Sequence, residues 1–208
     1  MDKIPQIPFS LYFCTFLIFV YALQLFTGFD PGFQAYESHP VNFFLSFFGH
    51  SDAEHLFNNI FFLGLFGTVF ELITSRKTFI YTFLASAIFA NITAFIFYTD
   101  SYIIGASGGA MGVLSALAVY RPRKIGLALG IPVPMYIVLA VYVMINLAGI
   151  GSGTGTAYEA HLFGLLTGSL IGIWMKDFEF DEEDGSEEKL GEDNWDEKIR
   201  RWEEKYML

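Results

Sequence analysis

The sequence predicts an all-α, polytopic membrane fold: six transmembrane helices, with a first outer loop that partly enters the membrane. Three observations carry this reading. Of 208 residues, 53% are hydrophobic and only 16% charged, with 24 Phe, whereas soluble domains carry roughly 25% charged residues. Long charge-poor windows recur along the chain. Two polar side chains, Ser107 and His161, sit inside apolar runs, where an ionisable group is costly and marks a functional site by default.

A straight span needs roughly 20 apolar residues to cross ~30 Å of hydrocarbon, with ~17 as the lower limit. Windows of that kind cover residues 7–26, 55–74 and 78–98, and 132–147 comes close; shorter ones cover 107–120 and 157–174. These are the six expected segments, the fourth too short to cross alone. The first has no small-residue cleavage site after it and only a weakly basic start, so it reads as a retained helix and not a signal peptide. The 12 Lys and Arg lie before the first segment, after the second, fourth and sixth, and in the tail. Loops 28–53, 99–106 and 149–156 have none. Positive charge stays inside, so both termini are expected in the cytoplasm and those three loops outside.

The net charge of −10 belongs to the tail: residues 177–208 hold 14 of the 22 acids against 5 of the 12 bases. The expected division is a membrane domain over 1–176 and an acidic cytoplasmic tail over 177–208. Residues 177–193 read as a solvated, disordered linker. Trp195, Ile199, Trp202 and Tyr206 then recur at helical spacing, as on a short amphipathic helix. Cys14, the one cysteine, is expected simply to pack. The residues show no metal cluster, phosphate loop or basic nucleic-acid patch, so neither cofactor nor nucleic acid is expected.

Ser107 opens the fourth segment, which runs inward to Arg121. About fourteen residues at ~1.5 Å each span only ~21 Å, leaving Ser107 below the outer surface at a helix N-terminus. Such a terminus favours the negative charge of an acyl-transfer oxyanion. Gly108 and Gly112, and likewise Gly164 and Gly168, form small-xxx-small faces that let two helices approach. One face is led by Ser107 and the other by His161. His55 and Asn59 share a face of the second segment as i, i+4 neighbours, and both suit an oxyanion hole. Ser51 or Asp52 is the expected cap of that helix.

These residues resemble the rhomboid intramembrane serine proteases, prokaryotic six-helix type. The matching features are His50, His55 and Asn59 as H-x4-H-x3-N, Gly105-Ala106-Ser107-Gly108 as GxSG, and Ala160-His161-x2-Gly164-x3-Gly168. The resemblance covers about residues 7–176. It implies a multi-pass protein of the prokaryotic cell membrane, a six-helix rhomboid-like bundle, and a serine endopeptidase acting on transmembrane protein substrates in the lipid bilayer. Ser107 is then the nucleophile and His161 the base of a dyad without a carboxylate. His55, Asn59 and the Ser107 backbone N–H form the oxyanion hole. His50, Gly105, Gly108, Gly164 and Gly168 are supporting residues, and Glu71 is the glutamate that ties down the first outer loop.

Two departures stand out. Loop 28–49 lacks the Trp-Arg pair of many members, and its apolar stretch 41–48 is expected to dip partway into the outer leaflet. Met111 occupies the place, one turn after the nucleophile, where well-known bacterial members stack a Tyr on the base. Glu159 points to another face than His161 and is not assigned as a third triad member. The resemblance further implies cleavage near the outer end of substrate helices that carry small or helix-breaking residues. Access is expected to be lateral, past the fifth segment, with Pro132 and Pro134 at its inner end and a glycine-rich outer end over 149–155. The rival readings are a silent rhomboid-like chaperone or binding protein, which usually lacks the Ser or the His, and a small transporter, for which no internal repeat appears.

Overall fold

The computed structural model describes residues 7–188. Helix α1 (Phe9–Thr27) ends at Gly28, whose φ of 70° is the left-handed C-cap conformation. The loop after it holds strand β1 (Phe33–Gln34) and a short helix α2 (Asn42–Leu45). A second long helical stretch comprises α3 (Ala53–Phe62), a π turn over Leu63–Gly67 and α4 (Thr68–Ile73). Then come α5 (Arg76–Phe97), β2 (Tyr102–Ile103) and α6 (Ser107–Tyr120). A hairpin of β3 (Ile125–Ala128) and β4 (Ile131–Pro134) leads into α7 (Met135–Gly149), and α8 covers Tyr158–Glu188. Three helical stretches, Phe9–Thr27, Ala53–Ile73 and Arg76–Phe97, are long and apolar enough to cross a membrane; α6 and α7 are shorter apolar helices.

Local chemistry sets the boundaries. The Asp52 carboxylate accepts from the His55 amide at 2.8 Å and caps α3, while Ser75 Oγ accepts from the Thr78 amide and caps α5. At α1 the first amides are satisfied from another helix: Phe9 and Ser10 N–H donate to the two Glu71 oxygens at 2.8 and 2.7 Å. No side chain caps α6.

Helix α6 is the centre of the bundle. Every residue from Gly108 to Ala118 is buried, as is Tyr120, and an all-round apolar helix of that kind needs protein on every side. The outer helices instead turn large apolar side chains outward, such as Phe16 and Phe19 on α1 and Leu166 and Leu170 on α8. A continuous exposed apolar surface of this kind is matched to lipid. Cys14 packs as expected, its thiol donating to the Ile60 carbonyl.

The first loop is held at several points without a Trp-Arg pair. Phe33 pairs with Ile103 and Gln34 with Tyr102 across β1 and β2. Asn91 Nδ2, from inside α5, donates to Phe43 O and Ser46 Oγ, both at 2.8 Å. Gln24 exchanges two bonds with the His50 backbone. Phe48 meets Phe13 and Phe16 of α1 edge to face.

Four expectations need correction. The fold is mostly helical but not all-α, because two short antiparallel pairs form in the loops. Pro132 and Pro134 lie on β4, not in the fifth helix; the turn through Leu129 (φ 51°) and Gly130 (φ 82°) folds that stretch back as a tight hairpin. Glu71 does not reach the first outer loop. It lies on α4, the end of its helical stretch away from His55, and caps α1 there. Finally, α8 stays helical to Glu188, past Asp177 where the acidic linker was expected to begin; Glu is a good helix former. The amphipathic pattern at Trp195–Tyr206 lies outside the described residues. The chain divides into two units, one through Ile173 and one from Trp174; the site described next lies wholly in the first.

Candidate active site

Ser107 is the first residue of α6, and its Oγ lies 2.7 Å from His161 Nε2 on α8. The approach follows from the glycines. A Cβ at Gly164 would overlap the Gly108 carbonyl, and one at Gly168 would overlap the Gly112 carbonyl. The two small-residue faces therefore bring α6 and α8 to backbone contact, and the residues that lead them meet. Just before the serine, Gly105 adopts φ 129°, and a Cβ there would stand 2.6 Å from the His55 ring. Its amide donates to Ser46 O at 2.8 Å, fixing the turn that delivers Ser107.

His55 and Asn59 project into the same cavity as Ser107 and His161; its volume is about 520 Å³ and Met111 and Gly155 also line it. Asn59 Nδ2 spends one hydrogen on the His55 carbonyl at 2.8 Å, leaving the second available. His55 Nδ1 lies 3.1 Å from Ser51 Oγ, which also reaches Asp52 Oδ2 at 2.8 Å. His50 is buried and stands edge-on to His55, with ring centroids 5.2 Å apart. Burial, and then the charge of His55, push the His50 imidazole down to about 4. It is therefore neutral near pH 7 and supports His55 by packing.

Three contacts around His161 and its neighbour Tyr158 were not anticipated. Tyr158, one turn before His161, packs edge-on to its ring at 6.3 Å. Tyr158 in turn fills the space a Cβ would need at Gly149 on α7. Asn146, 2% exposed on α7, places Oδ1 2.9 Å from His161 Nδ1. Asn146 was legible by the rule that singled out His161, since it is a polar residue deep in an apolar run. Glu159 is occupied elsewhere: it accepts from the Tyr98 hydroxyl. Among the described residues no cluster of His, Cys, Asp and Glu has the makings of a metal site.

A family model for the Rhomboid domain matches residues 37–178, more than half of the chain and every residue of this constellation. The chain belongs to the rhomboid family. No curated protein matches it. Rhomboid proteins are integral membrane proteins and in general serine intramembrane proteases, although members without protease activity exist. The apolar outer faces of the helices fit that setting.

Proposed function

We propose that this rhomboid protein is an intramembrane serine endopeptidase with Ser107 as nucleophile and His161 as general base. The observation that carries the reading is the 2.7 Å contact between Ser107 Oγ and His161 Nε2, in a cavity also lined by His55 and Asn59. His161 takes the Ser107 proton as Oγ attacks the substrate carbonyl. The carbonyl oxygen becomes an oxyanion, stabilised by the Ser107 N–H at the uncapped start of α6 and by the free Asn59 N–H. His55 Nε2–H is the third donor. That role needs the Ser51 hydroxyl proton on His55 Nδ1 and not on Asp52, because a neutral imidazole has one N–H. The C–N bond then breaks, the leaving amine takes the proton from His161, and water activated by the same base hydrolyses the acyl-enzyme.

The substrate is a transmembrane segment, unwound where small or helix-breaking residues weaken it. In this reading six helical segments lie in the membrane, the fourth (α6) too short to cross alone, with both termini cytoplasmic and the site opening outward. Stretch 41–48 then enters the outer leaflet. The test is labelling of the purified protein with a serine-directed fluorophosphonate, beside Ser107→Ala and His161→Ala, together with cleavage of a transmembrane substrate in proteoliposomes. Labelling and cleavage are expected in the parent alone. Label that persists without Ser107, or a parent that neither labels nor cleaves, overturns the proposal.

A further inference from the structure

We infer that Asn146 is a positioning residue for the base: it holds His161 in the one tautomer and orientation that can accept the Ser107 proton. The inference rests on the proposed roles of Ser107 and His161. Its basis is a directed chain of hydrogen bonds. Asn146 Nδ2 donates to the Tyr142 carbonyl one turn earlier at 2.7 Å, which fixes which end of the amide is oxygen. The oxygen therefore faces His161, and a carbonyl oxygen can only accept. At 2.9 Å, His161 Nδ1 must carry the hydrogen, and the Nε2 lone pair is left pointing at Ser107 Oγ 2.7 Å away.

The chemistry suits the depth of the site. An aspartate in this place would stabilise the imidazolium more strongly, but burying its carboxylate beside a neutral imidazole carries a heavy desolvation penalty. A carboxamide orients the ring and brings no charge. The remaining groups around His161 leave this task to Asn146. Tyr158 contacts the ring by its edge, His55 stands across the cavity, and Glu159 is engaged by Tyr98.

Three variants and one spectrum test the inference. Asn146→Leu keeps the volume and removes the acceptor; kcat and the fluorophosphonate rate are expected to fall on the order of 10²-fold, as for a misplaced catalytic group, with KM within about twofold. Asn146→Asp restores an acceptor and is expected to keep labelling while moving the acid limb of the pH–rate profile to higher pH, since a neighbouring carboxylate favours the protonated ring. Asn146→Gln, with its oxygen displaced by one methylene, should fall between them. In the parent, ring ¹⁵N resonances of His161, assigned by comparison with His161→Ala, should report Nδ1 protonated. A folded Asn146→Leu protein that labels at the parent rate, an unmoved profile in Asn146→Asp, or an Nε2-protonated ring in the parent overturns the inference. If Asn146→Leu fails to fold, the Asn146→Asp profile and the spectrum decide it. A parent that never labels at Ser107 defeats the proposed function instead, and the ring spectrum still reads the Asn146 contact.

Discussion

Gly105 is the residue on which the geometry of the site turns. Its φ of 129° is one that side chains rarely adopt, and the space where a Cβ would go is taken by the His55 ring. Gly105→Ala therefore combines backbone strain with displacement of the proposed oxyanion donor His55. Loss of one such donor costs on the order of 10²-fold in kcat, and that is the expected fall, read by substrate cleavage beside the unfolding midpoint. An unchanged kcat in a folded variant would show that His55 does not contribute. Met111 needs less attention than the sequence suggests. The aromatic contact on His161 is supplied by Tyr158 from the preceding turn of the same helix.

Among the elements, α1 depends on a carboxylate far away in sequence. Glu71 accepts two amide hydrogens at the start of α1 and lies 3.9 Å from the exposed Arg76 guanidinium, while its own side chain is only 8% exposed. Hydrogen bonds to a buried charged group are worth roughly 1.5–3 kcal/mol each before the costs of burying that charge. Glu71→Ala is expected to lower stability by about 2 kcal/mol, with Glu71→Gln milder because one oxygen still accepts; denaturant unfolding in detergent measures both. Catalytic labelling of the folded fraction should be unaffected, since Glu71 lies at the other end of its helical stretch from His55. The π turn at Leu63–Gly67 sits between these two ends, where α1 packs closely enough for Ser10 Oγ to meet Thr68 Oγ1 at 3.0 Å.

For the whole bundle, we propose that motion of α7 admits the substrate. It meets α3 through Phe62 and Tyr142, edge to face with centroids 5.0 Å apart, and its C-terminal end joins α8 through Gly151, Gly153 and Gly155, all at positive φ. A reducible bis-methanethiosulfonate cross-link between Phe62→Cys and Tyr142→Cys, in a Cys14→Ser background, should block cleavage of a transmembrane substrate while it is in place. Reduction should restore it, and fluorophosphonate labelling should persist in both states. Equal cleavage in both states would place the entrance elsewhere. The same helix carries Asn146, so the proposed movement of α7 would also move the contact of Asn146 with His161.

Much of this was present in the residues alone. Apolar length placed the helices to within a few residues, apart from the end of α8, because in lipid the backbone must satisfy its own hydrogen bonds and composition then decides which stretches can be helices. The GxSG, H-x4-H-x3-N and His-x2-Gly-x3-Gly spacings singled out residues that the fold brings to one cavity for a similar reason: each is local to one helix end or one helix face. Folding in three dimensions decided what those spacings could not. Glu71 caps a helix some 60 positions earlier in the chain, Asn91 and Gln24 pin a loop that looked unanchored, and Asn146 meets His161 across two helices. Each is a single polar residue in an apolar run, and its partner is fixed by how helices pack, not by any periodicity along the chain.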